Sequence, residues 1–221
     1  MRPALRFVGL RYSLERWPEK HRGGMNMAVS GSESEDEWKA AWQPVIDSIG
    51  ADMSDGSISY SLDRAEPALI RRFLEPLEFD CALHYDAAVA RAHGFADVTA
   101  PYTSANTLAG APVWQPGEEV FTSAERDAQP ARVSLKPSFP EGAPPITGYF
   151  ATDMETEYLR PIQAGEKLGR RGNRLIACVP KETKVGRGAF VTIETEVVDE
   201  KGEIVCVTRA SLFLYNPHSK A

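Results

Sequence analysis

The stretch GAFVTIETEVVDEKGEIVCVTRASLFL, residues 188–214, reads as two β-strands joined by a charged turn. Phe190, Thr192, Glu194 and Glu196 alternate with Val191, Ile193, Thr195 and Val197. A period of two puts one set on a packed face of a sheet and the other on a wet face. Asp199-Glu200-Lys201-Gly202 has the composition of a turn, and Ile204–Tyr215 resumes the strand pattern. Upstream, Tyr149–Leu159 and Lys167–Cys178 are two more β-like runs, separated from their neighbours by Gln163-Ala164-Gly165 and the charged Lys181–Arg187 segment. Four such runs in succession predict an antiparallel meander. Several exceed ten residues, so the sheet is expected to be long and curved. Ser57–Leu62 (SISYSL) adds one earlier strand. The fold class expected is α+β, with a sheet wrapped around a helix.

The helical signals lie before the meander. Trp38, Trp42, Val45, Ile46 and Ile49 recur at helical spacing from about Glu35, with Pro44 as a kink or restart and Gly50 as the end. Asp63 stands where the N-cap of a second helix is expected. Within Ala65–Leu74, Leu69, Ile70, Phe73 and Leu74 should face inward, Arg71 and Arg72 should face water, and Pro76 ends the run. Tyr102–Leu108 is expected to be a short helix.

Two regions lack these patterns. Residues 1–34 combine an Arg-rich leader with the acidic SGSESED lead-in at 30–36, and we expect a poorly ordered extension, with Met25 or Met27 as alternative starts. It lacks the apolar core of a secretory signal. Residues 111–145 carry seven prolines and read as a long loop. A single domain over 35–217 is expected.

Composition excludes several function classes. A formal net charge of -6 argues against a nucleic-acid surface. Cys81, Cys178 and Cys206 form no CxxC pair, so neither a disulfide framework nor a metal site is indicated, and a reducing, cytoplasmic setting is expected. No apolar run is long enough to span a bilayer.

Titratable groups gather in Glu78–Pro101, EFDCALHYDAAVARAHGFADVTAP, which holds His84, His93, Cys81, Asp80, Asp86 and Asp97. His84 is the candidate site residue and Asp80 its candidate acid–base partner. Asp86 is expected to cap a short helix. His93, before Gly94, is expected to meet that helix's C-terminal dipole. Cys81 has the character of a small filler.

The segment LHYDAAVARAHGFADVTAP and the later EYLRPIQAGEKL together resemble the MaoC-like dehydratase family, in particular its N-terminal, fatty-acid-synthase-like dehydratase type. The likeness covers roughly Ser57–Pro217. Arg160, Pro161 and Gly165 match that family's R-P-x-x-x-G-D turn, with Glu166 in place of the aspartate. The resemblance implies the hot-dog fold and hydration or dehydration of enoyl or 3-hydroxyacyl thioesters. Coenzyme A or acyl carrier protein would carry the acyl group, with no redox cofactor and no metal. The family signature is D-x-N-P-x-H. Here His84 takes the histidine position, Phe79 the aspartate position and Cys81-Ala82 the Asn-Pro position, while Asp80 lies one residue from the aspartate's place.

The resemblance also implies backbone N–H groups at a helix start that polarise the thioester carbonyl. Pro101 has no N–H, so Tyr102 and Thr103 become the candidates. Lys181, Lys184 and Arg187 are candidates for the phosphates of coenzyme A. A homodimer, or a heterodimer with a second MaoC-like subunit, is implied. Two rival functions remain open: a non-catalytic acyl-binding subunit, and a thioesterase on the same fold.

Overall fold

The structure is a computed structural model that describes residues 6–7, 35–112, 116–117, 119, 123 and 139–218. In chain order the elements are β1 (Arg6–Phe7), α1 (Glu35–Ala40), α2 (Gln43–Asp47), β2 (Ile58–Tyr60), α3 (Pro67–Leu74), α4 (Ala87–Ala92), β3 (Thr99–Ala100) and α5 (Ala105–Leu108), followed by β4 (Gly148–Tyr158), β5 (Ile162–Gln163), β6 (Leu168–Thr183), β7 (Gly186–Asp199) and β8 (Ile204–Pro217). Short 3-10 turns cover Glu75–Leu77, Ala82–His84 and Tyr102–Ser104.

The expected meander is present. Six strands make one sheet in the order β1-β4-β8-β7-β6-β2, antiparallel at every step, and β3 pairs with β5 in a small second sheet. Strands β6, β7 and β8 run 16, 14 and 14 residues, so the sheet is long. The alternation read in β7 puts Val191 and Val197 under the helical segments as expected, but Glu194, on the face expected to be wet, is itself buried and bound by Arg174 and Arg209. Gly188 lies where a Cβ would come within 2.0 Å of the Leu214 carbonyl oxygen, so the close pairing of β7 with β8 requires glycine there.

One sheet face carries two cores, one toward each end. Near the first, Ile70 and Leu74 of α3 and Ala105 and Leu108 of α5 pack on Leu168, Val197 and Cys206. At the other, Trp38, Trp42 and Val45 pack on Leu175, Val191 and Leu214. The tryptophan stripe is therefore packing surface, and each ring buried there contributes about 3–5 kcal/mol by the usual cost of truncation.

Several local expectations are corrected. The first helix restarts at Pro44 as expected, with α2 beginning at Gln43, but Ile49 beyond it stays exposed rather than completing the apolar stripe. Helix α3 starts at Pro67 with Glu66 at its N-cap, not Asp63, since proline's fixed φ suits a first turn. Leu69 lies at the rim of that helix, 36% exposed, while Ile70 and Leu74 carry its packing. The charged segment at 181–187 is mostly strand: β6 and β7 pair through Thr183–Gly186, leaving a two-residue turn at Lys184-Val185. Arg6 and Phe7, expected in an unordered extension, pair with Glu157 and Thr156 as an edge strand. The rest of 1–34 and most of the proline-rich 111–145 lie outside the described residues. No described helix is long and apolar enough to cross a membrane.

Candidate active site

His84 closes the 3-10 turn Ala82–His84, and that turn is locked from its C-terminal side. As expected, Asp86 caps α4, its carboxylate accepting from Ala88 N at 2.7 Å and Val89 N at 3.2 Å. Its own N–H donates to Ala82 O at 2.9 Å. The cap therefore fixes the backbone on which the imidazole stands. His93 ends α4 with Nδ1 2.9 Å from Val89 O, a helix C-terminal role as expected.

The imidazole Nδ1 of His84 lies 2.5 Å from the carbonyl oxygen of Thr99 in β3. A carbonyl only accepts, so Nδ1 carries the proton and Nε2 keeps its lone pair in the neutral ring. Thr99 is buried, and β3 is held by its ladder to β5, Thr99 opposite Gln163 and Ala100 opposite Ile162. The sequence pattern gave no hint of Thr99, because the group that acts is a backbone carbonyl.

Asp80 is exposed, and no hydrogen bond or ion pair joins it to His84 among the described residues. The ring of Phe79 takes the place beside the imidazole, with centroids 5.6 Å apart. Its backbone is held by Tyr85, whose hydroxyl donates to Phe79 O at 2.7 Å. Just before it, Glu78 adopts φ 49°, the one non-glycine residue in the left-handed region among the described residues. That conformation is sparsely populated for such a residue, so the chain turns sharply at the site's edge. An open depression of about 500 Å3 lies here, with Phe79 and Tyr85 in its wall and Glu75, Glu78, Asp80 and Asp86 around it. Of its lining carboxylates, Glu75 is paired with Arg71. An anionic group meets net repulsion in this depression.

Tyr102 and Thr103 open the 3-10 turn after Pro101, ahead of the first bonded amide, Ser104 N to Pro101 O at 3.0 Å. They follow Thr99, whose carbonyl bonds His84, by three and four residues in the chain. The Tyr102 ring packs 5.1 Å from that of Tyr158, whose hydroxyl is held above its usual range chiefly by burial.

Lys181, Lys184 and Arg187 are not brought to this site. Leu168 shares a core with Val98 and Ala100, which flank the Thr99 that bonds His84, and the hairpin tip lies fifteen residues further along β6. At ~3.3 Å per residue that is up to ~50 Å along the strand. Arg187 there pairs with Glu182 at 3.2 Å and sits over the Trp38 ring.

The Arg160–Glu166 turn does reach the site, through β5. Arg160 donates to both oxygens of Glu166, at 2.8 and 3.0 Å, and to Asp199 at 2.8 Å. Glutamate thus serves where the family turn has aspartate. Burial opposes ionisation of Asp199, but the amides of Glu203 and Lys201 together with Arg160 outweigh it and hold the carboxyl below the usual range.

A family profile described as FAS1-like, dehydratase domain region, matches residues 49–208. Among solved structures the chain is similar to the ChsH1-ChsH2 complex from Mycobacterium tuberculosis, with 17% identity and a TM-score of 0.56 over 84% of this chain and 99% of that one. It is also similar to a MaoC-like dehydratase from Rhodospirillum rubrum, with 20% identity and a TM-score of 0.46 over 76% of this chain and 96% of that one. A third is the C-terminally truncated HadBC (3R-hydroxyacyl-ACP dehydratase) complex from Mycobacterium tuberculosis, with 15% identity and a TM-score of 0.45 over 72% of this chain and 95% of that one. At 17% identity the first of these likenesses concerns the fold alone. No curated protein sequence matches the chain.

Proposed function

The chain belongs to the FAS1-like dehydratase-domain family and has the MaoC-like hot-dog fold, and from that premise we propose that it hydrates enoyl thioesters, or dehydrates 3-hydroxyacyl thioesters, with His84 as general base and acid. The observation that carries this reading is the bond from His84 Nδ1 to Thr99 O, which leaves Nε2 free to take a proton. In the hydration direction, Nε2 removes a proton from water as the water oxygen bonds to C3 of the enoyl group. Electron density moves onto the thioester oxygen, where the amides of Tyr102 and Thr103 supply stabilisation, and C2 then takes the proton from Nε2 as the carbonyl re-forms, which returns the imidazole to its neutral form. Asp80 joins this chemistry only through a rearrangement of 78–81 that carries its carboxylate toward His84. The acyl carrier is coenzyme A or acyl carrier protein. The acidic depression favours approach of its phosphates from another side.

A second reading is a non-catalytic subunit that binds the acyl chain and completes a heterodimer with another MaoC-like subunit. It is favoured by Phe79, which fills the place of the family aspartate against His84 and leaves no assembled carboxylate–imidazole pair. Hydration of short, long and branched enoyl-CoA substrates by the purified chain separates the two. Turnover that falls roughly 10²–10⁴-fold in His84→Ala supports the first reading. Absence of turnover with retained acyl-CoA binding supports the second, and release of free thiol would instead point to a thioesterase.

A further inference from the structure

Residue 163 was read from sequence as part of a turn, yet the structure gives its side chain a specific acceptor role. Gln163 Oε1 accepts from Ala96 N at 2.8 Å, while its backbone pairs with Thr99. The next residue, Ala164, donates its N–H to Val98 O at 2.9 Å. The segment 96–100 is therefore held at Ala96 by a side chain, at Val98 by an amide and at Thr99–Ala100 by the ladder. Arg91 Nε, 3.3 Å from Ala96 O, completes the hold from α4. What this segment presents in turn is the Thr99 carbonyl, the group that sets where the His84 proton resides. Strand β5 cannot drift, because Arg160 ties the residues before it to Glu166 and Asp199, and Gly165 N donates to Ala65 O at 3.0 Å.

We propose that Gln163 is a positioning residue: its amide oxygen fixes the 96–100 segment so that the Thr99 carbonyl holds His84 in the Nδ1–H tautomer, with Nε2 basic. The physical reason is competition. The Thr99 hydroxyl also lies 3.4 Å from His84 Nδ1, and a hydroxyl, unlike a carbonyl, can donate. A shift of Thr99 by a few tenths of an ångström lets its hydroxyl donate to Nδ1, which moves the proton to Nε2 and removes the base. Glutamine suits the task because its amide oxygen reaches the Ala96 N–H without adding charge to a stretch that already holds Asp97.

The proposal rests on His84 being the working residue of the site, and its test is chosen to be independent of turnover. Nitrogen-15 imidazole spectra of the full chain report the tautomer of each histidine directly. Wild type should show neutral His84 as the Nδ1–H form. In Gln163→Ala the Nδ1–H to Nε2–H ratio should fall roughly fivefold or more, the factor that one net hydrogen bond carries. Gln163→Glu, which keeps an acceptor oxygen, should restore it. His93, whose Nδ1 bonds Val89 O within its own helix, should not move in any variant and serves as the control. Should Gln163→Ala fail to fold, Gln163→Met keeps the bulk and drops only the acceptor. An unchanged His84 tautomer ratio in the folded variant overturns the proposal. Where wild type turns over, kcat should fall with KM preserved. If wild type hydrates nothing, the functional reading fails and the spectra still decide the role of Gln163.

Discussion

The ring of Phe79 lies 5.6 Å from the imidazole of His84 and is tilted 39° to it, in the position where the resemblance places the family's aspartate. Such a pair contributes about 0.5–1.5 kcal/mol beyond area burial, and Phe79 is half exposed, so its side chain is not a pillar of the fold. On the proposed reading its effect is also chemical, since it occupies the place from which the family's carboxylate would orient a water for His84.

Replacing that ring by a carboxylate is therefore a direct probe of the water site. Phe79→Asp should raise the rate of enoyl thioester hydration by at least about tenfold, the low side of what a positioned acid–base group contributes. The gain should vanish when His84→Ala is added. Steady-state assays at the enone absorbance measure both. A folded Phe79→Asp protein with an unchanged or lower rate would mean that the reacting water does not lie between these two positions.

On the opposite sheet face, Glu194 is held by both Arg174 and Arg209 while nine-tenths buried. The bond from Arg174 leads in pulling its carboxyl below the usual range, with Arg209 assisting and burial opposing. A depressed folded-state pKa means stabilisation that is complete above the unfolded value, near 4.5, and is lost as pH falls through the folded one. Glu194→Gln should thus lower the melting temperature most at neutral pH, with a cost of about 1–3 kcal/mol. The gap from wild type should close as pH drops below 4.5. Parallel melting curves from pH 7 to 3 would refute the linkage if the gap stayed constant.

The thiols give a test of burial by chemistry. Burial pushes Cys178 and Cys206 up to about 11, and both side chains are enclosed by the cores. At pH 8 roughly one in a thousand of each is thiolate, and the folded protein hides even that fraction from reagent. Cys81, in the turn ahead of His84, is only partly covered. Alkylation of the native chain at pH 8 should therefore add one label, and denaturation should expose all three thiols. Mass spectrometry of the peptides decides it, and rapid labelling of Cys178 or Cys206 would contradict the packing described.

Much of this architecture was legible because strands advertise themselves. The alternation through Phe190–Val197 and the turn at 199–202 follow directly from a period of two, but the burial of Glu194 on the face expected to be wet was not legible, because it depends on Arg174 and Arg209 from neighbouring strands. The Trp38–Trp42–Val45 stripe and the restart at Pro44 were legible at helical period, but the exposure of Ile49 and the rim position of Leu69 depend on tertiary fit. At the candidate site, the Asp86 cap was readable from side-chain type and spacing. Thr99 and Gln163 were not, since one acts through a carbonyl and the other bonds an amide sixty-seven residues away in sequence. Asp80 was chosen for its nearness in sequence, but the left-handed turn at Glu78 and the Tyr85–Phe79 bond set Phe79 beside His84 instead.

Gly188 offers the sharpest stability test, because the contact it avoids is with backbone. An added Cβ would lie 2.0 Å from Leu214 O and 2.7 Å from Tyr215 Cα, distances that no side-chain rearrangement can relieve. Gly188→Ala must therefore separate β7 from β8 locally, and a forced backbone shift of this kind costs up to about 3 kcal/mol. Strand β8 carries Leu214 into the core beneath Trp38 and Trp42, so the displacement should also loosen the tryptophans. Urea denaturation followed by tryptophan fluorescence should show a lower midpoint and a shifted native baseline, whereas Gly202→Ala should cost less, about 1 kcal/mol, since only its φ of 80° opposes a side chain. Equal effects at the two positions would mean that the β7–β8 pairing is looser than the register from Gly186–Pro217 to Val198–Ile204 implies.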